Sequence, residues 1–324
     1  MARKENLGIR KPMSDETKKN ISESIKKKAS KKREGVVATN GNIPRRRRSL
    51  ELIKMRDQIF DPSLFVTMST GKLIDKLFTI EGGLPKATNY ILVGDPGVGK
   101  STVALDILAD LVNQGFKCIY ISAEMTRIDL HKYVERYPKF GDIDVLFLGE
   151  YIDDNPKLIM EEILYLGYDI ALIDSFAEVQ SDVKETNGIS TNAAEKWLVD
   201  LMLLHNGGNN KTKTNTMFLA IQQVTKSGVF VGSNKLKHNT TGMLEMRFDE
   251  DNPANSYIHF TKNRRGPINK KIYFSIKEGD NVLYYDHTAS PSLLENLLEN
   301  SLADFIEQAE KIAGSSKKNP FKID

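Results

Sequence analysis

Residues 94–101 read GDPGVGKS and fit the phosphate-loop pattern G-x-x-x-x-G-K-[ST]. Glycines at this spacing let backbone N–H groups face phosphate oxygens, and a helix starting behind them adds a favourable dipole. The expected nucleotide contacts are Gly94, Asp95, Pro96, Gly97, Val98, Gly99, Lys100, Ser101 and Thr102. Lys100 would reach the β- and γ-phosphates of ATP, and Ser101 would hold Mg²⁺.

Carboxylates suited to such a site stand at two strand ends. ALIDS puts Asp174 at the carboxyl end of a buried apolar strand, where a doubly wound sheet gathers its ligand groups. A carboxylate there suits Mg²⁺, directly or through water. Glu124, in YISAE, ends the strand after the phosphate-loop helix. It is placed to orient or deprotonate an attacking water, or more plainly to cap a helix. FLAIQQ ends a further strand with Gln222 and Gln223. Strand side chains alternate, so one of the two can sense a γ-phosphate; Gln223 is the favoured one.

Two segments read as loops on the same side. VTKSGVFVGSNKLKHNTT is rich in Gly, Ser, Asn and Lys and offers Lys226, Lys235 and Lys237 to a phosphate backbone. EVQSDVKETNGISTN, after Asp174, is polar and less distinctive. In HFTKNRRGP, Lys262 and Arg264 are two apart on a strand and so face the same way. Such cations can act in trans on a neighbour's γ-phosphate, or form an ordinary exposed pair.

The elements that must position these residues alternate. TNYILVG, KCIYISAE, DIDVLFLGE, YDIALIDS and TNTMFLAIQ read as buried strands. Between them, KSTVALDILADLVNQG, RIDLHKYVERY, PKLIMEEILYLG and TNAAEKWLVDLMLLHN have helical periodicity. Repeated β–α units with continuously apolar strands predict a mainly parallel sheet covered on both faces. After about residue 241 the pattern turns strand-rich, with TGMLEMRFDE, SYIHFTKNR, KKIYFSI and NVLYYD at hairpin spacing. These predict an antiparallel extension at one sheet edge. SPSLLENLLENSLADFIEQAEKI reads as a last amphipathic helix, at 290–313, before a loose tail at 314–324.

The chain has 324 residues, 40% of them hydrophobic and 27% charged, enough to bury a full core. Its one cysteine, Cys118, excludes an internal disulfide framework and a multi-cysteine zinc site. No apolar run is long enough to span a bilayer, and the N-terminus has no secretory pattern. A cytoplasmic protein with no membrane partner is expected. The net charge of +3 hides a split: residues 1–50 carry 16 Lys and Arg against 5 Asp and Glu, a net of +11, and the remainder a net of −8. A basic arm on an acidic body suggests a polyanion for the arm. Residues 1–61 have few large apolar side chains and read as a largely disordered arm and linker. Within it, Ser14 can cap a short helix over about 14–28 whose first turn holds Asp15 and Glu16. Lys18, Lys19, Lys26, Lys27 and Lys28 on that helix, and Arg45, Arg46, Arg47 and Arg48 beyond it, are the candidate DNA contacts.

Together these residues resemble a known family. Residues 62 to about 286 look like the ATPase core of RadA/Sms, within the RecA/DnaB-like superfamily. The likeness rests on GGLPKATNYILVGDPGVGKST, YISAE, ALIDSFAEVQSD, QQVTKSGVFVG and KNRRG. It implies a RecA-like α/β fold over 62–289 and Glu124 as catalytic glutamate. It implies Gln223 at the γ-phosphate sensor position, where RadA usually has His. Lys226 would lie on a DNA-coupled loop, and Lys262 and Arg264 would act across a subunit interface. The chain departs from RadA in lacking a four-cysteine finger and room for a Lon-like domain. Residues 11–32 resemble the NUMOD repeats found with homing endonucleases, which implies DNA binding, and such repeats are common in phage genes.

The expectation is therefore a DNA-dependent ATPase of RecA/RadA type with ATP and Mg²⁺ as ligands. It would act in recombination, repair or replication. It would assemble as a ring or filament, a hexamer being favoured, around single-stranded DNA, with duplex DNA at the arm. A minimal DnaB-like replicative helicase and a KaiC-like ATP-switched scaffold are the alternatives.

Overall fold

The computed structural model describes residues 52–151, 154–222, 234–250, 255–268, 270–276 and 282–286. The basic helix, the arginine cluster, Gln223, Lys226 and the C-terminal helix lie outside these. The chain divides into two compact units, Met1–Gln58 and Ile59–Asp324. In the first, the described residues hold one 3-10 turn, Met55–Asp57.

The second unit is built on one nine-stranded sheet. Its strands are β1 (Asn89–Gly94), β2 (Cys118–Ser122), β3 (Asp144–Phe147), β4 (Ile170–Asp174) and β5 (Met217–Ile221), then β6 (Gly242–Phe248), β7 (Ser256–Asn263), β8 (Lys271–Ile276) and β9 (Val282–Tyr285). The spatial order is β3-β2-β4-β5-β1-β6-β7-β8-β9. The first six in that order are parallel to one another. β7, β8 and β9 add antiparallel pairs. The antiparallel extension thus begins one strand later than the sequence pattern suggests, because β6 pairs parallel with β1 along Tyr90–Gly94.

The helices are α1 (Asp75–Phe78), α2 (Lys100–Asn113), α3 (Arg127–Arg136), α4 (Pro156–Tyr165), α5 (Phe176–Asn187), α6 (Thr191–Asn206) and α7 (Asn234–Asn239). Alternate strand residues feed two cores. Tyr90, Leu92, Tyr120, Leu172 and Leu219 pack with Val103, Ile107 and Leu111 of α2. Ile91, Ile119, Ile121, Ala171 and Ile173 pack with α4, α5 and α6 on the opposite face. Every residue of β1, β2, β4 and β5 is buried, as expected of parallel strands covered on both sides.

Two segments read as loops are helical. EVQSDVKETN lies within α5, which is capped by Ser175 accepting from Glu178 N and which ends at Gly188. Its apolar Phe176, Val179 and Val183 recur at helical spacing and are buried. NKLKHN, at the end of the Lys-rich segment, forms α7 and buries Leu236.

A buried ionic cluster ties α2 to the far sheet edge. Asp106 contacts Lys72 at 2.8 Å and also Lys139, and it accepts from Val282 N at 3.2 Å and Tyr284 OH at 3.3 Å.

Candidate active site

The strand order changes direction between β4–β5–β1, and the loops at their carboxyl ends converge there. β1 ends at Gly94, and the chain turns into α2 through Gly99, whose φ of 96° is left-handed and favours glycine. Lys100 opens α2 and donates from Nζ to Gly94 O at 3.0 Å and Asp95 O at 3.1 Å. Burial pulls the Lys100 pKa down, while Asp174, Asp95 and Glu124 pull it back up.

Ser101 Oγ donates to Asp174 Oδ2 at 2.7 Å, and Tyr120 OH reaches the same oxygen at 3.3 Å. Asp174 is 2% exposed. Burial pushes its pKa up to about 6 against the Ser101 hydrogen bond, and the Glu124 charge adds to the rise. Asp174 stands opposite Ser122 in the β2–β4 register, and Ala123 N donates to Asp174 O at 2.7 Å. This junction carries the chain past the end of β2 and sets Glu124 at the cavity rim.

A cavity of about 680 Å³ joins these groups, lined by Gly94, Pro96, Gly97, Lys100, Ser101, Thr102, Glu124 and Asp174 among others. Sequence reasoning missed three lining residues, Tyr133 of α3, Ile221 of β5 and Ile276 of β8; Tyr133 and Ile276 lie in no motif. A hydroxyl and a carboxylate oxygen 2.7 Å apart are the hard donor set that suits Mg²⁺. The glycine-lined floor with its lysine suits a polyphosphate.

Lys262 and Arg264 sit elsewhere, at the end of β7. Arg264 lies just past the strand, not on it. The two side chains nonetheless converge, as their spacing implies. Lys262 Nζ donates to the carbonyls of Lys237, His238 at 3.3 Å and Thr240 at 2.6 Å, and Arg264 Nη2 donates to His238 O at 2.7 Å. Asn263 between them is fixed to the carbonyls of Leu77 and Phe78. Lys235 and Lys237 belong to α7, not to an open loop. Gln222, at the end of β5, is buried.

Residues 67–142 match the family model described as ATPase: KaiC. DNA repair protein RadA of Chlamydia pneumoniae is 28% identical over 252 residues, 74% of this chain and 53% of that protein. DNA repair protein RadA of Streptococcus pyogenes serotype M6 is 30% identical over 199 residues, 61% of this chain and 41% of that protein. The chain thus spans about half the length of the curated relatives it matches. Among solved structures, flagellar accessory protein FlaH from Methanocaldococcus jannaschii superposes with a TM-score of 0.50 at 12% identity, covering 69% of this chain and 98% of that one. Among the described residues, no helix is long and apolar enough to cross a membrane. With its phosphate loop between β1 and α2, its strand order and its RadA relatives, the body of this chain is similar to the ATPase cores of the RadA/RecA superfamily.

Proposed function

We propose that this chain is a DNA-dependent ATPase acting in recombination or repair, with ATP held between subunits of a ring or filament. The observation that carries the reading is the convergence of Ser101, Asp174, Lys100 and Glu124 on one cavity, with Ser101 Oγ and Asp174 Oδ2 at 2.7 Å. In this reading Lys100 leaves the loop carbonyls for the β- and γ-phosphates. Ser101 and Asp174 hold Mg²⁺, which when bound neutralises charge developing on the phosphates. Glu124 orients and deprotonates the attacking water, and Gln223 reports the γ-phosphate to the Lys226 segment. Lys262 and Arg264 serve a neighbouring subunit's nucleotide. An ATPase domain over 62–289 follows an arm over 1–61 that recruits DNA. The RadA relatives and the +11 charge of residues 1–50 support DNA as the partner.

The test is ATP turnover with and without single-stranded DNA. Stimulation that falls when residues 1–50 are deleted supports the reading. The match of residues 67–142 to the KaiC model favours a second reading, an ATP-switched protein scaffold. Turnover indifferent to any DNA would favour that one.

A further inference from the structure

We infer that the Asp95–Arg247 ion pair is the charge clamp that lets this phosphate loop accept a polyphosphate, with Arg247 as a positioning residue for the nucleotide. The inference rests on the reading of the cavity as an ATP site.

The loop carries a carboxylate, Asp95, in a turn whose other groups are arranged for anions. Left unpaired, that charge would oppose the ligand. Asp95 and Arg247 follow Gly94 and Met246, which are register partners in the parallel β1–β6 pair. The two strands run close here: a Cβ on Gly94 would meet Met246 O at 2.3 Å, and Asp95 N donates to Met246 O at 3.3 Å. The side chains of Asp95 and Arg247 therefore meet across the strands, with Arg247 Nη1 donating to Asp95 Oδ1 at 2.7 Å.

Arg247 is braced from behind. Its Nε donates to Glu245 Oε1 at 2.9 Å, its Nη2 donates to the same oxygen, and Glu245 Oε2 lies 3.4 Å from His259 Nε2. One face of the guanidinium is thus fixed on β6 and the other reaches the loop. Gly94, Pro96 and Gly97 line the cavity on either side of Asp95, while its carboxylate turns to β6. Its backbone stays in the site, since Asp95 O accepts from Lys100 Nζ at 3.1 Å. The pair is half-buried, with side chains 28% and 30% exposed, so the charge it cancels is only partly screened by water.

The test is equilibrium binding of ADP and of a non-hydrolysable ATP analogue to the full-length chain. Arg247→Ala is expected to weaken the ATP analogue about tenfold or more, because a like charge beside a bound anion is costly. It should weaken ADP less, and both losses should shrink at high salt. Asp95→Asn in the same chain should return most of the lost affinity. If Arg247→Ala does not fold, Arg247→Gln, which keeps the stem, is read by the same criteria. An equal loss for ADP and the ATP analogue, or a double variant no tighter than the single one, overturns the clamp. Lys100→Ala separates the two readings. If it binds both nucleotides normally, the cavity is not the ATP site. If it loses them while the Arg247 variant does not, only the clamp is wrong.

Discussion

Lys262 Nζ lies 2.6 Å from the carbonyl oxygen of Thr240, the residue after α7. With its bonds to Lys237 O and His238 O, this one ammonium serves three carbonyls that a helix end leaves without intrahelical partners. Burial, and then the nearby Arg264 charge, hold its pKa below the usual lysine value. Arg264 makes one such bond, to His238 O. Lys262→Ala should therefore lower the melting temperature more than Arg264→Ala does. Hydrogen bonds to charged groups contribute roughly 1.5–3 kcal/mol. A thermal scan of both variants checks the order; equal shifts would mean the three-carbonyl cap adds nothing.

Asp174 is expected to trade stability for ligand binding. Its pKa in the fold, about 6, lies above the ordinary 3.8, so folding favours the protonated form. The resulting penalty is absent below pH 3.8, grows between 3.8 and 6, and is complete above 6. Asp174→Asn carries no such penalty. Without Mg²⁺ or nucleotide at pH 8 it should be more stable than the parent chain, by on the order of 3 kcal/mol. At pH 4 the two should nearly coincide. Denaturant unfolding at the two pH values measures this. Mg²⁺ with ATP should stabilise the parent chain and have much less effect on the variant.

Asp106 is the hub of a different charge cluster. Its side chain is 1% exposed and lies between Lys72 and Lys139, which are 22% and 19% exposed. Removing one partner of a buried ionic group typically costs about 3–5 kcal/mol. Asp106→Ala should fall at the lower end, since both lysines can turn to water. The backbone N–H of Val282 and the hydroxyl of Tyr284 also lose their acceptor, so hydrogen exchange should rise first in β9. Uniform exchange across the sheet would contradict a local tie.

The parallel half of the fold was legible because β1, β2, β4 and β5 are mostly apolar and flanked by helices of clear period. The phosphate loop, Asp174 and Glu124 were legible for the same reason, since each stands at or just past such a strand end. α5 was not. Its polar surface masks a three-residue apolar stripe, Phe176, Val179 and Val183, and its start is marked only by Ser175. β6 reads with the antiparallel group because its sequence does not reveal which neighbour it joins; its pairing with β1 depends on residues 152 positions apart, as in the Asp95–Arg247 contact. Tyr133 and Ile276 reach the cavity only through tertiary packing.

Glu124 lines the cavity with Lys100 and Ser101, and the proposed general-base role assigns it to turnover rather than to nucleotide binding. Its removal should leave binding intact. Glu124→Gln is expected to bind an ATP analogue with near-parent affinity and to lose turnover by about 10²-fold or more, the scale of general-base catalysis. Lys100→Ala should instead lose binding and turnover together. Near-normal turnover in Glu124→Gln would remove it from the chemistry.

The last prediction joins assembly to chemistry. Arg264 lies just past the end of β7 and is not among the residues lining its own chain's cavity, so any effect of its removal on turnover would come through a neighbour or through the fold. If it acts in trans, Arg264→Ala should bind nucleotide normally and turn over poorly, by on the order of 10³-fold, as for arginine fingers in other phosphoryl-transfer systems. Lys100→Ala should be inactive for the opposite reason, an impaired loop with an intact finger. Mixing the two variants creates interfaces that pair an intact loop with an intact finger, so part of the activity should return. Activity that stays at the level of the separate variants, in mixed oligomers verified by mass, would assign Arg264 to the support of α7 alone. The cap on His238 O then gives the expected residue of effect, a lower melting temperature with no recovery on mixing.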